Sequence, residues 1–132
     1  MTTAVRVPQR IQRRMTLGWR KPEGAVVVTR PGRWGNPYRA IRGTVYGPSR
    51  PNEGGELFAY STHAPARNAI AAAVDYYRRD VDCAIRSRLT TEAIRRELAG
   101  RDLACWCPLP AAGEPDICHG AVLLAIANGW EY

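Results

Sequence analysis

Cys105-Trp106-Cys107 and, ten residues further on, Cys118-His119 bring three thiols and an imidazole within fifteen residues. That is the donor set of a closed structural zinc site. The spacing differs from a zinc ribbon, because one residue and not two separates the first two cysteines. In an extended strand, residues i and i+2 share a face about 6.6 Å apart. Two sulfurs on one tetrahedral zinc, each about 2.3 Å from the metal, lie only about 3.8 Å from each other. A shared ion therefore requires the two side chains to lean together, or Pro108 to bend the strand end. Cys118 and His119 ligate together only if a helix start holds them splayed. Zinc is the favoured metal, and an iron–sulfur cluster held by three Cys and one His is the lesser option.

Two other readings of these residues stand beside the metal. Cys118 and His119 fall at the expected N-terminus of the last helix, where free N–H groups and the macrodipole favour a thiolate. Cys118 or His119 would then carry the chemistry of an enzyme acting on a nucleotide or nucleobase. Alternatively, the thiols are small core residues on a buried strand. Cys83, alone on a helical stretch, is read as packing.

Arg30-Pro31-Gly32-Arg33-Trp34-Gly35-Asn36-Pro37 leaves a short β-branched run as a tight loop. In α/β sheets, loops beyond the C-terminal ends of strands line the ligand crevice. Arg30 and Arg33 can clamp a phosphate, Trp34 can stack on a base, and Asn36 can read a base edge. The structural alternative has Trp34 plugging the core and Asn36-Pro37 acting as turn chemistry.

Charge points the same way. The chain carries 19 basic and 12 acidic side chains, net +7, but unevenly. Residues 1–50 hold ten Arg and Lys21 against Glu23 alone, a net +10, whereas residues 51–132 carry −3. Such asymmetry predicts a nucleic acid or nucleotide partner for the first part. Arg10, Arg13, Arg14, Trp19, Arg20 and Lys21 interleave cations with an aromatic, which suits phosphate neutralisation plus stacking. No Walker loop, Gly-x-Gly-x-x-Gly fingerprint or deaminase signature is present. The opening residues lack an apolar export segment, and no apolar run reaches a spanning length. A cytoplasmic location without membrane contact is expected.

The 132 residues make one domain: an Arg-rich arm over 1–24 and an α/β core over 25–132. The arm includes a short basic helix over Gln9–Leu17. Ala25–Thr29 reads as a strand buried on both faces. Residues 39–46 read as a hairpin around Gly43, and 47–55 as a loop. Ser61 or Thr62 caps a helix starting near Pro65, with Ile70, Val74, Tyr77 and Val81 as its apolar stripe, continuing towards Leu89. Thr91 caps a second helix, with Ile94 and Leu98 inward and Gly100 as its stop. Asp102–Cys107 is a strand. The last helix starts near Cys118, buries Val122, Leu123 and Ile126, and stops at Asn128-Gly129. The order predicts a small, mostly parallel sheet flanked by helices, of Rossmann-like character.

Val7-Pro8-Gln9-Arg10-Ile11, Gly18-Trp19, Pro22-Glu23-Gly24, Arg30–Pro37, Asp102–Cys107 and Cys118-His119-Gly120 together resemble a family of short proteins common in bacteriophages and their hosts. The family is catalogued as a domain of unknown function. The resemblance implies that the Trp-Gly-Asn-Pro loop and the Cys/His cluster belong to one protein type. It also implies a phage or prophage setting, in which binding a host protein is a further possible role.

Overall fold

The computed structural model describes residues 6–48, 56–85 and 89–130. Nine elements follow in chain order: β1 (Arg10–Gln12), β2 (Val26–Val27), β3 (Arg39–Ile41), β4 (Thr44–Pro48), β5 (Leu57–Thr62), α1 (Asn68–Asp82), α2 (Thr91–Leu98), β6 (Leu103–Cys105) and α3 (His119–Asn128). They form a mixed α/β fold with two sheets. The first is the expected parallel sheet, in order β1-β6-β2. The second is antiparallel, in order β3-β4-β5.

β6 is fully buried and takes hydrogen bonds on both edges. Arg10 pairs with Leu103 and Gln12 with Cys105 on one side; Val26 and Val27 pair with Leu103 and Ala104 on the other. Pairing runs past the formal strand ends, since Val28 N–H donates to Ala104 O at 2.9 Å and Arg13 N–H to Cys105 O at 2.8 Å. Asp102 anchors the entry to this strand. Its carboxylate accepts the Gln9 N–H at 2.8 Å and pairs with Arg6.

The short basic helix expected over Gln9–Leu17 does not form. Arg10–Gln12 is instead an outer strand of the parallel sheet. Helical spacing of charges cannot compete here with a ladder to a buried central strand. Part of the arm is thus built into the sheet.

The hairpin around Gly43 forms as expected, with Arg39 opposite Tyr46 and Ile41 opposite Thr44. The strand β5 was not expected; Ser61 and Thr62 sit in it and do not cap a helix. Of the loop expected over 47–55, Gly47 and Pro48 instead complete β4, and the remainder lies outside the described residues. α1 starts at Asn68 and ends at Asp82, short of Leu89. Its buried face is Ala69, Ala73, Tyr77, Asp80 and Val81, while Ile70 is exposed. Cys83 caps its C-terminus and is exposed, not packed inside.

α2 is capped one residue earlier than expected: Thr90 Oγ1 accepts the Ala93 N–H at 3.2 Å. α3 ends as read, with Gly129 left-handed at φ 70°. Its residues 122–127 are all buried, joining Val28, Tyr77, Ile94, Leu98 and Leu103 in the main core. A smaller core of Tyr38, Val45, Ala69 and Ala73, flanked by Tyr60 and Tyr76, lies between α1 and the antiparallel sheet. Among the described residues, no helix is long and apolar enough to cross a membrane.

Candidate metal centre

β6 stops at Cys105 and the chain bends at Trp106-Cys107. The bend removes the alternation that would hold the two side chains about 6.6 Å apart. Cys105 Sγ and Cys107 Sγ approach to 3.8 Å, the separation two sulfurs take on one tetrahedral ion. Ten residues later the chain returns to this point. Cys118 is the N-cap of α3 and His119 its first residue. Extended backbone at Cys118 (φ −150°, ψ 141°) followed by helix splays the two neighbouring side chains. Donor atoms of Cys105, Cys118 and His119 all lie within 4.8 Å of one another.

Arg10 holds the returning loop. Its side chain is almost wholly buried and pairs with Asp116. Nη1 donates to Cys107 O at 2.8 Å, and Nη2 to Pro108 O at 2.7 Å. One planar guanidinium thus ties β1 to both arms of the Cys/His loop, a use that suits Arg and not Lys.

The imidazole is prepared as a ligand. His119 Nε2 lies 2.6 Å from Val28 O. A carbonyl only accepts, so Nε2 carries the proton and Nδ1 is left with its lone pair. Burial lowers the His119 pKa, which keeps the ring neutral. Metal-bound His residues have the same outer hydrogen bond to a carbonyl. Tyr77 packs edge-on against the ring at 5.3 Å.

The thiols share charge. Cys105 is pulled down to about 2, first by the hydrogen bond from Cys107 and next by that from Cys118. Cys107 and Cys118 are both raised, first because each holds its proton as a donor to Cys105. The Gly120 N–H also donates to Cys118 Sγ at 3.3 Å. Three thiols this close beside a neutral imidazole form a donor set that a divalent ion could hold as thiolates.

Beside the thiols opens a cleft of about 260 Å³. Its walls come from both halves of the chain: Thr29, Arg30, Asn36 and Arg39 from one, Ile70, Cys105–Cys107 and Ile117–His119 from the other. It lies beyond the C-terminal ends of β1, β2 and β6, where parallel sheets place their ligands.

The residues of the Arg30–Pro37 loop divide. Arg30 lines the cleft, with Nη1 donating to Asn36 O at 2.9 Å. Asn36 lines it as well, but its amide donates to Ala73 O at 3.1 Å and its oxygen accepts the Tyr38 N–H at 2.9 Å. Trp34 is in the main core, its carbonyl accepting from the Tyr77 hydroxyl at 2.7 Å. Arg33 stacks over Trp34 at 4.4 Å and pairs with Glu97 at 2.6 Å. Neither Arg33 nor Trp34 lines the cleft. Gly35 lets the loop fold back on itself, since a Cβ there would stand 2.8 Å from the Arg30 backbone.

The N-terminal basic residues divide too. Arg10 is buried in the ion pair described above. Arg13 Nη1 donates to Thr29 Oγ1 at 2.6 Å, and its guanidinium covers Trp106 at 4.2 Å. Lys21 donates to Ala25 O at 2.6 Å. Arg14 and Arg20 are exposed, and Trp19 is half-buried. Arg39, Trp106, Ile70 and Ile117 line the cleft, and the sequence pattern assigns none of them to a ligand. Arg39 has no motif around it, and only the pairing of the β3–β4 hairpin aims it.

Residues 11–129 match the family described as Domain of unknown function (DUF4326). The chain belongs to this family, as its two motifs implied. No curated protein and no solved structure matches it.

Proposed function

We propose that this protein binds one zinc ion through Cys105, Cys107, Cys118 and His119, and that the metal pins the end of β6 to the start of α3. The observation that carries this is convergence: Cys105, with twelve residues between it and Cys118, meets Cys118 and His119 within 4.8 Å, and Cys107 lies 3.8 Å from Cys105. Donors this close suit a single ion better than an iron–sulfur cluster, whose ligands spread over several irons. Three thiolates with one imidazole suit zinc, and a full set of four protein ligands suits a structural role.

Elemental analysis of protein purified without added metal tests this directly. One zinc per chain is expected, and neither zinc nor iron would overturn the reading. Cobalt substitution should produce thiolate-to-metal charge-transfer absorption that weakens in Cys107→Ser.

The basic N-terminal half supports a nucleotide or nucleic-acid partner for the same protein. Arg14 and Arg20 remain exposed for it, and a polyanion would show affinity falling steeply with salt. Flat salt dependence would remove the polymer. The catalytic alternative, with Cys118 or His119 as the reacting group, separates from the structural one by one mutant. Cys118→Ser should lower the melting temperature if the metal is structural, and abolish turnover in an intact fold if the thiol is a nucleophile.

A further inference from the structure

We infer that the cleft beside the metal centre binds a phosphate monoester of nucleoside-monophosphate size, with Arg30 and Arg39 on the phosphate and Trp106, Ile70 and Ile117 against its apolar or aromatic body. The inference deepens the metal reading above and rests on it for the charge of the cleft floor.

Charge comes first. Arg30 and Arg39 both line the cleft, and among the described residues no Asp or Glu does. They are near enough that Arg39 lowers the Arg30 pKa, after the larger effect of burial. Two guanidiniums facing one half-closed space repel each other and gain from an anion between them. Arg30 uses Nη1 on the Asn36 and Tyr38 carbonyls, at 2.9 and 3.4 Å, which fixes its plane and leaves Nε and Nη2 for a ligand. Arg39 is exposed on β3, with no protein partner among the described residues. Zinc with three thiolates and a neutral imidazole carries a net −1. Against the two arginines this leaves the cleft at +1, so the metal centre does not exhaust their charge.

Shape sets the rest of the ligand. Trp106, Ile70 and Ile117 line the cleft with 44%, 52% and 49% of their surfaces exposed. Single exposed apolar residues are ordinary, but three around one basic cleft form a wall for an apolar group. Arg13 stacked on Trp106 holds the indole in place. The volume of about 260 Å³ lies just below the roughly 300–1,000 Å³ of pockets for drug-sized ligands. It suits one mononucleotide unit, free or at the end of a strand, and is too small for a duplex.

Isothermal titration of zinc-quantified protein tests the inference. Ligands are the four ribonucleoside 5′-monophosphates, the four nucleosides and inorganic phosphate, with wild type compared to Arg39→Ala. At least one monophosphate should bind, and its nucleoside and inorganic phosphate should each bind at least tenfold more weakly. Arg39→Ala should weaken that monophosphate about tenfold while zinc content and melting temperature stay unchanged. Equal affinity for nucleotide and nucleoside, or an unaltered Arg39→Ala affinity, would overturn the proposal. A tetranucleotide with and without a 5′-phosphate separates the sources. Tighter binding of the phosphorylated strand than of the mononucleotide, with the same Arg39→Ala loss, supports the site and assigns it a strand end. If zinc-loaded protein binds no monophosphate and no phosphorylated strand, the cleft proposal fails and the metal reading stands. If protein that holds no zinc as purified binds with the Arg39→Ala loss intact, the metal reading fails and the cleft stands.

Discussion

Cys107 is half-buried whereas Cys105 and Cys118 are buried, so the three sulfurs are not equivalent. Serine at 107 removes the ligand nearest solvent and should cost affinity without leaving a cavity in the core. We expect Cys107→Ser to retain the fold and to lose zinc to a chelator far sooner than wild type, followed by a colorimetric zinc indicator. Arg10 makes a different demand. Replacing it with Met would leave Asp116 and the Cys107 and Pro108 carbonyls without their donor. Breaking a fully buried pair from one side typically costs about 3–5 kcal/mol, and the partial exposure of Asp116 sets this pair below that range. Arg10→Met should therefore lower the denaturant midpoint strongly and loosen the metal, although no zinc ligand is altered.

At the scale of elements, the smaller core depends on a buried carboxylate that α1 carries inward. Asp80 is fully buried and accepts the Tyr38 hydroxyl at 2.7 Å, and Arg79 reaches it at 3.3 Å. Tyr38 stacks on Tyr76 at 5.2 Å and meets Tyr60 edge-on at 5.3 Å. Burial first, and then the hydrogen bond to Asp80, raise the Tyr38 phenol above its usual range. A raised folded-state pKa favours the protonated form. The stability it contributes is complete below the unfolded value of about 10 and drains away as pH rises beyond it. Tyr38→Phe should therefore flatten the alkaline limb of the stability profile above pH about 10, measured by urea unfolding. At neutral pH the same change should cost about 1–3 kcal/mol, because Asp80 loses a buried donor. Gly47 packs on this ring as well: a Cβ there would stand 2.5 Å from Tyr38, so Gly47→Ala should destabilise the β4 side of the same core.

Across the whole molecule, the candidate metal centre and the main core share one element. α3 supplies two candidate ligands at its first turn and buries residues 122–127 against Val28, Leu98 and Leu103. Metal binding is then coupled to folding of the domain. A chelator should lower the melting temperature by calorimetry, and the loss should reverse on adding zinc. Protection of β6 and α3 amides from hydrogen exchange should fall first, ahead of the β3-β4-β5 sheet, which packs on α1 through the smaller core.

Much of this was written in local residue order. Thr and Gly bounded α2 and Asn128-Gly129 closed α3, because capping acts over a few neighbours. The β-branched run expected as a strand over Ala25–Thr29 buried on both faces gave only Val26–Val27, an outer strand with Val27 exposed, because β6 took the centre of the sheet. The donor set at Cys105, Cys107, Cys118 and His119 was legible for the same reason: it spans fifteen residues, and its residue types carry the chemistry. Tertiary structure decided what needed distant partners. Residues 10–12 became strand because β6 offered a free edge 93 residues away in register. β5 formed because β4 was there to pair with it, and Arg39 reached the cleft through the β3–β4 hairpin. Trp34 went to the core and Arg10 to a buried ion pair, although each stood in a run of solvent-like residues. The uneven charge along the chain likewise gained meaning only in space. The sequence separated a basic half from a Cys/His half, and folding set both against one cleft. Arg30 meets the thiols because parallel β2 and β6 bring their C-terminal ends together, and Arg39 because the antiparallel β3–β4 hairpin carries it to the same wall.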